Sequence, residues 1–147
     1  MIDSAGTRKP ATRTALRRGA FRGYQWVLLT FLLLGVVQIF LAGLGVFSLH
    51  GQDVGAPGET AFNPHRDLGF TLGGIALVIL VLALVARPGT RAIILSAVLV
   101  LLTSLLQSLL AGLADNHAIY GGMHALDGLL ILGIAGYLYA WSRRRES

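Results

Sequence analysis

Two histidines of the 147-residue chain sit in matching surroundings. His65 lies in Asn63-Pro64-His65-Arg66-Asp67-Leu68-Gly69, and His124 in Gly122-Met123-His124-Ala125-Leu126-Asp127-Gly128. Each is followed four residues later by a glycine, Gly69 or Gly128, which a helix would place on the same face one turn away. Neutral imidazole ligates metals and haem iron, and a glycine one turn off leaves room for the face of a flat macrocycle. Two such histidines could fill both axial positions of a haem b, which suits electron transfer or haem handling rather than oxygen activation. Two other readings stay open. The glycines could let helices pack closely, with the histidines structural, or the pair could hold another metal.

Weaker candidates lie around this pair. Arg66 adjoins His65 and could meet a haem propionate, since guanidinium recognises carboxylates well; it could equally pair with Asp67 or Glu59. Asp127 follows His124 by three residues, so it could orient an imidazole or face water. His50 and His117 stand at the ends of apolar runs, as loop histidines or as relay groups. Asn63 suits a helix N-cap and Pro64 a first helical residue, which would fix His65 in a first turn. Cysteine is absent, which removes thiolate metal sites, Fe–S clusters and thiol nucleophiles. No HExxH, Walker A or dinucleotide fingerprint occurs.

The two histidine segments belong to a longer similarity within the chain. Gln38-Ile39-Phe40-Leu41-Ala42-Gly43-Leu44 aligns with Gln107-Ser108-Leu109-Leu110-Ala111-Gly112-Leu113 at five of seven positions. After each segment come a histidine (His50, His117), then His65 or His124, then glycine at +4 and alanine, Ala76 or Ala135, at +11. An internal two-fold repeat is expected, its halves related by an axis along the membrane normal. Gln38 and Gln107 would then occupy equivalent sites and hydrogen-bond across helices.

Apolar helices must position these residues. Hydrophobic residues make up 54% of the chain and charged ones 13%, and mean hydropathy is +0.69. A soluble domain carries about 25% charge. Four long runs with few charges predict an all-α, up-down-up-down transmembrane bundle, because a chain in lipid must satisfy its backbone internally. The spans are placed at about 24–48, 64–86, 91–114 and 119–142. Residues 1–23 are expected to be a flexible basic arm and 143–147 a basic tail. The first span is too long for a signal peptide and lacks a following cleavage pattern, so it reads as an uncleaved helix.

Eleven of the twelve basic residues fall at one end of such a bundle. The positive-inside rule makes that end cytoplasmic, with both termini, and puts the histidines at the outer face of the plasma membrane. The net charge of +5 therefore has a membrane explanation and calls for no nucleic-acid partner. The expected partners are the lipid bilayer and, for a haem protein, a redox partner, a larger membrane complex or a second copy. Uninterrupted spans disfavour a transporter. The alternative is a cofactor-free scaffold or accessory subunit, with its glycine and alanine stripes packing helices.

The residues from Phe47 to His65, Pro64-His65-Arg66 with Leu68-Gly69, and His124 to Gly128 resemble a family of small, uncharacterised four-helix bacterial membrane proteins. That resemblance implies a fold and no activity. In topology the chain is also similar to one four-helix half of haem A synthase, in which a histidine at the outer end of the second helix and one on the fourth flank a haem. This second resemblance implies His65 and His124 as the ligands. The synthase half that does chemistry has a glutamate three residues before the first histidine, where this chain has Phe62, and it has loop cysteines that this chain lacks. Haem binding without catalysis is therefore the expectation.

Overall fold

The computed structural model describes residues 10–48 and 60–145. Among the described residues there are four long helices: α1, Pro10–Ser48; α2, Asn63–Ala86; α3, Thr90–Ala114; and α4, Ala118–Arg143. All four are long and apolar enough to cross a membrane. Each packs on its neighbours in sequence, and α1 with α4 closes the ring. The diagonal pairs, α1 with α3 and α2 with α4, do not approach within 8 Å between Cα atoms. The fold is an all-α membrane bundle.

Helix α1 is longer than the apolar run that it carries. It begins at Pro10, so residues 10–23, expected as a flexible arm, are helical. The reason is local: Ala11, Ala15, Leu16 and Ala20 favour helix, and proline is tolerated in a first turn. Residues 12–19 are exposed on every face, so this part of α1 stands clear of the other helices.

The closely packed core lies toward the basic end. Tyr24, Leu28 and Phe31 of α1 meet Ala76, Ile79 and Ala83 of α2, Ala92 and Leu99 of α3, and Ala135 and Leu138 of α4, all almost fully buried. Each set recurs at three, four or seven residues, one face of a helix. Lipid is as apolar as leucine, so close backbone approach and dispersion hold membrane helices together; Ala76, Ala83 and Ala135 permit that approach. Two buried hydrogen bonds add to it, Tyr24 Oη with Ser96 Oγ at 3.3 Å and Gln25 Nε2 donating to the Ser142 carbonyl at 3.1 Å.

The connection from α2 to α3 is tight. Arg87 closes α2 in a left-handed conformation, φ 51° and ψ 55°, its N–H donating to the Ala83 carbonyl. Gly89 has φ 143°, which glycine tolerates and other residues rarely adopt. The end of α4 is tied to this turn: Arg145 Nη1 donates to the Pro88 carbonyl at 2.9 Å, and its guanidinium lies 4.3 Å from the centroid of the Trp141 ring.

Helix α3 is continuous but not uniform. Leu101–Leu106 winds as a π-helix, with the Gln107 N–H reaching back to the Leu102 carbonyl. One residue extra in a turn rotates everything beyond it by about 100°. Past this point, Gln107–Ala114 packs on α4, and no Cα in it comes within 8 Å of one in α1 or α2. The α1–α2 and α3–α4 hairpins thus pack together in the basic half and draw apart at the histidine end.

Candidate functional site at the histidine end

Each histidine is clamped by the glutamine of its own hairpin. Gln38 on α1 donates its amide N–H to the His65 carbonyl at 2.8 Å, and His65 Nδ1 lies 3.1 Å from the Gln38 carbonyl. Gln107 on α3 donates to the His124 carbonyl at 3.0 Å, and His124 Nδ1 lies 3.2 Å from the Gln107 carbonyl. A carbonyl can only accept, so both Nδ1 atoms carry the proton and both Nε2 atoms keep a lone pair, which at His65 lies 3.4 Å from the Gln38 amide nitrogen. Helix order and spacing explain the match: in each hairpin a mid-span glutamine on the rising helix meets a histidine in the early turns of the returning one.

The two clamped rings converge. Their centroids are 6.0 Å apart, edge to face at 61°. They come from α2 and α4, the diagonal pair, so they meet where the bundle axis passes between the separated hairpins. Both residues are partly buried. Phe62 adds a wall: its ring stands edge-on to His65 at 6.5 Å, and a Cβ on Gly45 of α1 would lie 2.7 Å from it. Phe62 had no sequence signal of its own beyond standing three residues before the histidine. It is also the residue that caps α2, which starts at Asn63, one residue earlier than the expected Asn63 cap.

The glycines do something more local than expected. A Cβ on Gly69 would come within 3.2 Å of Gln38 Nε2, and one on Gly128 within 3.6 Å of Gln107 Nε2. The sequence reading gave this space to the face of a macrocycle; in the structure the glutamine amides occupy it.

Asp127 is buried beside Gln107 and His124. It is 6% exposed, so it does not face water, and neither carboxylate oxygen has a hydrogen-bond partner. The imidazole it might have oriented is held by Gln107 instead. Thr103 Oγ1, on the π-helix, and Gln38 Oε1 are likewise buried without a partner. Arg66 is exposed, and no pairing with Asp67 forms among the described residues. Glu59 lies outside them. His117 is exposed at the N-cap of α4, its ring 6.1 Å from that of Tyr120. His50 lies outside the described residues.

Four apolar spans around a clamped histidine pair define a multi-pass membrane helical bundle. The profile of a family of unknown function, DUF6220, matches residues 38–115, just over half of the chain, and the chain belongs to that family. The matched region begins at Gln38 and takes in His65, Gly69 and Gln107, ending before His124. No curated protein matches the chain, and no solved structure does.

Proposed function

We propose that the protein binds a b-type haem at its histidine end, with His65 and His124 as axial ligands, and serves electron transfer or haem handling in the membrane. The observation that carries this is the pair itself. Two imidazoles from different hairpins stand side by side, and together they would hold a haem iron. Their ring centroids are 6.0 Å apart. Nδ1–H donation to a backbone carbonyl also selects the tautomer that ligates through Nε2 and fixes the direction of the ring.

Among the described residues no three histidines or acids gather as a metal site, so the reading rests on the two imidazoles. Haem would supply one-electron redox chemistry. The chain's residues would hold and orient it: Gln38 and Gln107 through the two imidazoles, Phe62 as an apolar wall, and Arg66 at the exposed rim as a partner for a propionate. The parting hairpins allow entry from the bilayer. With nine described arginines at the opposite end, the positive-inside rule would turn the histidine end outward in the plasma membrane, where a redox partner or a second copy would approach.

The second reading, a cofactor-free scaffold or accessory subunit, draws on the same clamps, since reciprocal amide–carbonyl bonds also fasten helices together. Absorption spectra of the detergent-purified protein, oxidised and reduced, separate the two. Haem bands lost in both His65→Ala and His124→Ala are the expected result. A colourless, folded protein from haem-replete cells would exclude the haem site.

A further inference from the structure

Buried oxygens without hydrogen-bond donors stand on both sides of the histidine pair. We infer that Asp127 is the counter-charge of this site, holding its metal toward the oxidised, more positive state and so setting its reduction potential. The inference rests on the haem reading above and extends it.

Three observations support it. First, Asp127 is buried within the apolar span of α4, and neither of its oxygens meets a hydrogen-bond donor. An acid in that position needs a positive partner. Gln107 stands beside it, but the Gln107 amide already donates to the His124 carbonyl. Secondly, the His65 side repeats the pattern. Gln38 Oε1 is buried there without a donor, while the nitrogen of the same amide donates to the His65 carbonyl. Each half of the site thus carries a buried oxygen that a positive charge would satisfy.

Thirdly, both rings donate from Nδ1 to backbone carbonyls. That bond makes an imidazole a more basic ligand through its other nitrogen. The carboxylate, the amide oxygen and the two basic imidazoles all act in one direction. One-electron oxidation adds a positive charge at a haem iron, and in a low-dielectric span each of these groups favours the added charge. Asp127 is the strongest of them, since a carboxylate brings a full charge where the others bring dipoles. It acts from beside His124, as a residue that tunes the site without ligating the metal.

Optical redox titration of the haem-loaded, detergent-purified full chain tests this. Asp127→Asn should keep the wild-type haem spectrum and raise the midpoint potential by at least about 59 mV, a tenfold change in the one-electron equilibrium. Asp127→Leu should shift it in the same direction, and Asp127→Glu should stay near the wild type. Asp115→Asn, which removes an exposed acid at the same end, should leave it unmoved. Haem retained in Asp127→Asn at an unchanged midpoint would overturn the inference and leave the haem reading standing. So would an equal shift in Asp115→Asn, which would reduce the effect to the general field of the acids. A colourless wild type would sink the haem reading itself, and this inference with it.

Discussion

The rings of His65 and His124 meet at 6.0 Å although their helices are diagonal in the bundle and keep their backbones apart. Each ring donates from Nδ1 to the main-chain carbonyl of the glutamine on the neighbouring helix, and that glutamine's side-chain amide donates to the histidine's own carbonyl; the Gln38 amide also lies 3.4 Å from His65 Nε2. The geometry at the site therefore depends on two clamps rather than on direct packing of α2 against α4.

Removing one glutamine side chain should loosen the bundle while leaving the ring's bond to the main-chain carbonyl at that position in place. Gln38→Leu and Gln107→Leu each remove an interhelical amide donor, and each should cost about 0.6–2 kcal/mol in reversible unfolding from mixed micelles. The double variant should cost close to the sum, since the bonds lie in different hairpins. Equal stability of Gln38→Leu and wild type would show that the clamp is energetically idle.

The glycines should rank by the space above them. Gly45→Ala sets a methyl against the Phe62 ring, where a Cβ would lie 2.7 Å from it, and should destabilise by about 1–3 kcal/mol. Gly69→Ala, at 3.2 Å from Gln38 Nε2, should cost less because a side-chain amide can yield. Gly43→Ala and Gly133→Ala meet nothing within 4 Å and should be neutral, or gain up to about 1 kcal/mol from helix propensity. The same unfolding assay reads all four.

Asp127 is a liability to the fold as it stands. A buried carboxyl with no partner costs about 1–3 kcal/mol of unmet hydrogen bonding, so Asp127→Leu should raise the unfolding midpoint. A lower midpoint would mean that the carboxylate satisfies a bound group in the native membrane. An intramembrane acid kept at such a cost is a functional residue by default.

The absence of cysteine makes the topology directly readable. Thr12→Cys and Asn116→Cys place single thiols at opposite ends of the bundle, both at exposed positions. With a membrane-impermeant maleimide, Asn116→Cys should label in intact cells and Thr12→Cys only after permeabilisation. The reverse pattern would invert the orientation and put the histidine pair on the cytoplasmic side.

Much of this architecture is legible in one dimension, because hydropathy needs no partner to be read. Four apolar runs of membrane-spanning length leave a chain in lipid no alternative to helices, and short links force neighbours antiparallel. The paired Gln38/Gln107 and His65/His124 also stood out by type and spacing. What they would do to one another did not. Whether Gln38 faces His65 depends on the axial register of α1 against α2, and the sequence leaves that open by a turn or more. The π-turn at Leu101–Leu106 rotates Gln107 relative to the first half of α3, and no residue pattern announced it. Phe62 and Gly45 acquire roles only once α1 and α2 are in contact. Asp127 could have faced water or an imidazole until α4 was turned about its axis. Composition thus determined the solvent, the helices and the polarity of the two ends. Rotation and register, which are set by packing between helices, decided which polar groups are satisfied, which are orphaned, and that the two histidines share one axis.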